Sequence, residues 1–253
     1  YYEEAKMVQV FAPEKRKELW RKLKLFPGGG NSEVVFAQTK CVTNLNGDPA
    51  DFLLTAVRLG IINQYQGLFA LDILQEILMG TQKIHKTRQN MGLLDPAKIN
   101  IVANGHMPFV AQMVTELAAS GKWREMACQA GAESIQVLGH VCEGQQLISY
   151  EGAQSMPAFG GQAGEWLSEE YLLATGCVDV FMFDYNCTVP TLPLYAKRFG
   201  TTMIGTHEVI RLPDTEAVEF IPEKMREQAE KVLAKSITAF KRRKAEKRES
   251  CVP

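Results

Sequence analysis

The chain has 253 residues, 46% of them hydrophobic and 23% charged, and a formal net charge of −1. This is an ordinary soluble, globular composition, and the charge balance gives no electrostatic footprint for nucleic acid or an anionic membrane. Apolar stretches are interrupted well before the ~18 residues of a spanning helix, so no membrane span is expected.

The first residues, YYEEAKMVQV, are acidic, lack a basic region and an apolar signal core, and do not begin with Met. The expectation is one segment of a longer, cytoplasmic protein. Six cysteines, Cys41, Cys128, Cys142, Cys177, Cys187 and Cys251, form no compact disulfide framework. In a reducing compartment they are free for metal or catalysis.

Residues 1–95 read as a helical segment. In PEKRKELWRKLKLF, Leu19, Leu23 and Phe26 recur at helical spacing, and FPGGGN (26–31) breaks the pattern. Asp48 is placed to cap a helix that opens on Pro49 and runs to about Leu59. A further helix is expected over 66–79, ending at Gly80. From Asp95 the pattern changes to strand-like runs, INIVAN (99–104), ESIQVLG (133–139), VDVFMFD (178–184) and TTMIG (201–205), separated by helical stretches. The runs are almost wholly apolar, as strands covered on both faces are. The fold class expected for 96–253 is therefore α/β, a Rossmann-like parallel sheet with flanking helices. Residues 223–247 read as a final amphipathic helix with a solvated basic end.

In an open parallel sheet, ligands bind beyond the carboxyl ends of the strands. Gly105-His106-Met107-Pro108 follows the first run, His140-Val141-Cys142-Glu143-Gly144 the second, and Tyr185-Asn186-Cys187-Thr188 the third. Consecutive strands thus each deliver an imidazole or a thiol to one edge, 36 and 45 residues apart, spacings that fit βαβ crossovers. Thiolates suit iron–sulfur clusters, zinc and other soft centres, and imidazole suits Fe, Ni and Zn. The bland reading is that each Cys is a core hydrophobe and the His a hydrogen-bonded structural residue. There is no Cys-x-x-Cys, and the glycine-rich GGQAG (160–164) follows no clear strand, so neither a self-contained zinc site nor a phosphate cradle is supported. Cys128 and Cys177 read as core, and His207 as a loop histidine. Asp184 ends the third strand, where it could cap or hydrogen-bond the Cys187 turn.

Over MGTQKIHKTRQNMGLLDPAKINIVANGHMPFVAQM, VLGHVCEGQQL, EEYLLATGCVDVFMFDYNCTVPTLPLYAKRFGT and the last helix, the sequence resembles the catalytic subunit of nickel-containing carbon monoxide dehydrogenases. The likeness is nearest to the alpha subunit of the acetyl-CoA decarbonylase/synthase type. The resemblance implies a nickel–iron–sulfur cluster (the C-cluster), with His106 and Cys142 as ligands of its pendant iron and Cys187 as a thiolate of its cubane part. It implies reversible two-electron oxidation of CO with water to CO2 in an anaerobic setting, a homodimer, an electron-transfer partner such as ferredoxin, and association with acetyl-CoA synthase subunits. Asp72 falls one position from an acidic residue proposed as a base in the family. Asn104 replaces the first histidine of the family's His-Gly-His, and Val141 replaces a cysteine before Cys142. The family's remaining cluster cysteines lie beyond this chain. The alternatives are a non-catalytic assembly or interaction module with a half-built metal site, or a doubly wound domain holding an ordinary nucleotide cofactor.

Overall fold

The computed structural model describes residues 5–42, 47–246 and 251–252. The chain forms two compact units, Tyr1–Met79 and Gly80–Pro253.

The first unit is helical, with helices Lys6–Phe11, Glu14–Lys22, Gly30–Val42, Pro49–Ile62 and Phe69–Met79. Asp48 caps the fourth as its sequence indicates: its carboxylate accepts the Ala50 N–H at 2.9 Å, and Pro49 opens the first turn. The glycine break serves a buried carboxylate. The Gly28 N–H donates to Glu33, which is almost fully buried and pairs with Arg58. A small core of Ala5, Val8, Ala12, Ile61 and Ile62 packs with Trp20, Phe26 and Tyr65. The helix ending at Met79 stops where Gly80 takes φ +88°.

The second unit is a six-stranded, all-parallel sheet in the order β3-β2-β1-β4-β5-β6. The strands are β1 (Ile99–Asn104), β2 (Ile135–His140), β3 (Phe159–Gly164), β4 (Val180–Phe183), β5 (Thr202–Gly205) and β6 (Glu216–Ala217). Their alternate side chains feed two cores. One holds Ile99, Ile101, Val137 and Met182 under helices Phe109–Ala118 and Met225–Ala245. The other holds Val102, Leu138, Phe181 and Phe183 with Leu172 and Leu192. Both faces are covered, and the runs are correspondingly apolar.

Strands β1, β2, β4 and β5 are the four expected. β3 is FGGQAG, which lacks apolar alternation because it is an edge strand held by backbone pairing to β2. β6 is only two residues long. Residues 80–95 are largely irregular rather than helical and, as the start of the second unit, pair with the rest of it, through Lys83 N–H to Ser149 O and Gln162 N–H to Arg88 O. Cys177 is buried as expected, but Cys128 is exposed on helix Gly121–Gln129, on the face turned away from the core. The last helix is Met225–Ala245; Lys247, its expected end, lies outside the described residues. Among the described residues no helix is long and apolar enough to cross a membrane.

At the amino end of the sheet, Arg243 reaches in from the last helix. Its Nε and Nη2 bind the two Asp179 carboxylate oxygens at 2.9 and 3.1 Å. Nη1 and Nη2 also donate to the Pro96 and Lys98 carbonyls. Both partners are nearly sealed, at 5% and 1% side-chain exposure.

Candidate metal centre

The strand order reverses between β1 and β4, the switch point at which open α/β sheets take ligands. Asn104 of β1 is level with His140 of β2 and with Phe183 of β4, so these three strands end in one row. His106 follows that row by two residues, Cys142 by two and Cys187 by four. The row explains why side chains 36 and 45 residues apart in sequence converge. One ligand atom from each of His106, Cys142 and Cys187 lies within 4.8 Å of the other two, all three half-buried. His106 Nε2 is 3.9 Å from Cys187 Sγ. This is the one such group among the described residues.

The turns that carry these donors have costly backbone conformations. Val141, immediately before Cys142, has φ +47°, a genuine outlier for a β-branched residue. Asn186 and Cys187 are consecutively left-handed, at φ +65° and +48°. Such conformations cost roughly 1–3 kcal/mol each and concentrate where function over-determines the backbone.

Asp184 anchors the His106 turn, not the Cys187 turn. It accepts the His106 N–H at 2.8 and 2.9 Å and also the Met107 N–H. Gly105 stands at φ +139°, where a Cβ would collide with the Asp184 carboxylate. The glycine beside the histidine therefore makes room for this carboxylate. Gly105→Ala is expected to lower stability by at least about 1–3 kcal/mol, from the left-handed φ alone, as measured by urea unfolding. A loss under about 0.5 kcal/mol would show that the turn repacks freely.

Three carboxyls crowd the donors: Glu143, Asp184 and Glu169, all essentially buried. Burial pushes Asp184 up to about 7, partly offset by the Met107 and His106 N–H groups. Burial likewise raises Glu169 to about 7, against the Val189 N–H and the Asn104 side-chain amide. Glu143 is raised well above the usual range by burial and by the Asp184 charge. Burial raises the Cys187 thiol, with Cys142 and Glu169 adding to it. Burial lowers His106 and takes His140 down to about 4. Among the described residues no lysine or arginine pairs with the three carboxyls. Two soft thiols and an imidazole, with no lysine or arginine paired beside them, form a set that a metal would complete.

A pH dependence follows for the metal-free chain. Asp184 and Glu169 bind protons in the folded state near 7 and in the unfolded state only near 4, so stability rises as pH falls between 8 and 6.5. His140 and His106, both lowered by burial, work in the opposite direction, setting in as pH falls toward their unfolded value of 6.5 and growing below it. Asp184→Asn is expected to remove a large part of the gain between pH 8 and 6.5. Unfolding midpoints at the two pH values check this, and an unchanged gain would refute it.

Asp72 sits exposed on helix Phe69–Met79 of the first unit. His207 is half-buried, with its ring edge-on to Tyr185 at 5.1 Å, and Tyr185 stacks on His106 at 5.6 Å. The sequence flagged Asn104 only as a departure and did not flag Glu143 or Glu169. The structure gives all three a place beside the donors.

The model of the prismane/CO dehydrogenase family matches residues 1–250. The chain is 38% identical over 244 residues to carbon monoxide dehydrogenase 2 of Methanosarcina acetivorans, covering 96% of this chain and 38% of that protein. It is 37% identical to carbon monoxide dehydrogenase of Archaeoglobus fulgidus, covering 95% of this chain and 38% of the relative. The chain thus spans well under half of the curated relatives it matches. Among solved structures it is similar to carbon monoxide dehydrogenase IV from Carboxydothermus hydrogenoformans, with a TM-score of 0.86 and 27% identity over 97% of this chain and 38% of that one. It is also similar to an acetyl-CoA synthase/carbon monoxide dehydrogenase described with nickel–zinc and nickel–nickel Fe4S4 clusters, with a TM-score of 0.90 and 25% identity over 99% of this chain and 36% of that one.

Proposed function

Because the chain belongs to the prismane/CO dehydrogenase family, we propose that it forms the part of a carbon monoxide dehydrogenase that supplies one imidazole and two thiolates to a nickel–iron–sulfur cluster. The observation that carries this reading is the convergence of one ring nitrogen of His106 with Cys142 Sγ and Cys187 Sγ, all within 4.8 Å of one another, at the carboxyl edge of the sheet. His106 would bind through its imidazole and the two cysteines as thiolates, a soft set suited to iron and nickel. When bound, the cluster supplies the two-electron chemistry by which CO and water become CO2, two protons and two electrons.

The chain's own residues hold the donors and handle protons. Asp184 fixes the His106 turn through two backbone N–H groups. The Asp184 and Glu169 carboxyls, pushed up to about 7, exchange protons near neutral pH beside the donors. The electrons would pass to a carrier such as ferredoxin. Acetyl-CoA synthase subunits are the natural assembly partners, in keeping with a relative named carbon monoxide dehydrogenase/acetyl-CoA synthase subunit beta in Moorella thermoacetica.

A second reading, an assembly or interaction module with an incomplete site, draws on one observation. Among the described residues only three donors converge, too few to hold a whole cluster. Anaerobic reconstitution with iron, sulfide and nickel separates the two. Stoichiometric uptake that depends on Cys142 supports the first reading, and a folded chain that takes up no metal supports the second.

A further inference from the structure

Behind the three donors lies a buried side-chain chain that joins all three strand ends. Asn104, the last residue of β1, is fully buried. Its Nδ2 donates to the Cys187 carbonyl at 2.9 Å and to Thr188 Oγ1 at 3.0 Å. Its Oδ1 lies 2.8 Å from His140 Nδ1 at the end of β2. The Cys187 carbonyl can only accept, so it turns the amide N–H2 toward the cysteine loop and Oδ1 toward the histidine. Oδ1 in turn can only accept, so the His140 proton sits on Nδ1. His140 Nε2 is 3.4 Å from Ser168 Oγ, next to Glu169, whose Oε2 accepts the Val189 N–H at 2.8 Å.

The loop held in this way needs holding. Cys187 is left-handed, a conformation that costs roughly 1–2 kcal/mol for such a residue, and it follows Asn186, a residue type that enters that region more readily. Cys142 is held differently. It lies in the first turn of helix Val141–Ser149, tied to the turn after β1 by the Glu143 N–H to Gly105 O bond of 2.7 Å. None of its described hydrogen bonds is to Asn104.

We propose that Asn104, braced by His140, is a positioning residue for Cys187: its amide clamps the carbonyl of the cysteine itself and so fixes where that sulfur stands relative to His106 and Cys142. The proposal rests on the reading of Cys187 as a metal ligand. It also gives the asparagine at 104 a specific task. A side chain there must donate toward the cysteine loop and accept from His140 at once, and the short planar amide does both.

The test uses the whole chain, loaded anaerobically with Co2+ as the probe. Thiolate-to-cobalt absorption reports how many sulfurs bind, and alkylation by iodoacetamide with peptide mapping reports which ones. In the native chain both Cys142 and Cys187 are expected to be protected. In Asn104→Ala the absorption should fall to that of Cys187→Ala. Cys187 should then alkylate at least about 10-fold faster, the scale of losing an outer partner of a metal ligand, while Cys142 stays protected. The near-isosteric Asn104→Leu fills the same space and loses the paired N–H donors. It should show the same selective loss even if the alanine variant folds poorly. Continued protection of Cys187 in Asn104→Leu, or equal loss at both cysteines, overturns the proposal. A native chain that protects neither cysteine overturns the metal reading itself and the proposal with it.

Discussion

Cys142→Ala is expected to reduce the iron and nickel retained after anaerobic reconstitution by well over the roughly 10–100-fold that loss of an outer-shell partner costs a metal site. The reason is donor arithmetic. His106, Cys142 and Cys187 are the converging set among the described residues, and the neighbouring carboxyls lie behind them as hydrogen-bond acceptors. Removing one sulfur leaves an imidazole and a single thiolate, too few to hold a bridged inorganic core on this chain. The fold should survive. Cys142 is half-buried and takes part in neither apolar core of the second unit. Metal content per folded chain, with far-ultraviolet circular dichroism as the control for folding, is the measurement. Undiminished uptake in a folded Cys142→Ala chain would dismiss the three-donor centre.

The largest expected loss of stability lies at the other end of the sheet. Arg243→Met should cost about 3–5 kcal/mol, the range for removing one member of a buried ion pair. The magnitude follows from what remains. Asp179, 1% exposed, would keep the Asn100 N–H at 2.9 Å but lose both guanidinium bonds. The Pro96 carbonyl would lose its Arg243 donor, and the Lys98 carbonyl would keep only the Asn100 Nδ2 bond at 3.3 Å. Arg243→Lys should fall between, because an ammonium restores the charge but not the two-pronged geometry. Urea unfolding followed by amide exchange in β1 and β4 is the check. A loss under about 1 kcal/mol would mean that water reaches Asp179 and that the pair behaves as a surface one.

The sequence made the four apolar strands plain, because runs such as INIVAN and VDVFMFD are buried on both faces and carry no competing period. It concealed β3, whose three glycines leave nothing for a hydrophobic pattern to register. The donors were legible because each follows an apolar run directly. Their supports were not. The partnership of Asp184 with the His106 turn, 78 residues away in sequence, depends on β1 and β4 being neighbours, which local pattern does not encode. Likewise, Asn104 looked like a missing histidine until the strand register placed it against His140 and the Cys187 loop. The left-handed Val141 and Cys187 could not be foreseen, since neither residue type favours that region.

The level row of strand ends has a further consequence, for how this kind of site can change over generations. Because the ladders of hydrogen bonds between β1, β2 and β4 set the spacing of the donors, the crossover segments are free to lengthen or shorten without moving the metal-binding edge. A single residue gained or lost inside one of those three strands would instead shift its donor by about 3.3 Å and turn its side chains to the opposite face. Descendants of this chain can therefore vary widely in the count of residues between His106, Cys142 and Cys187, while insertions within the strands should be purged.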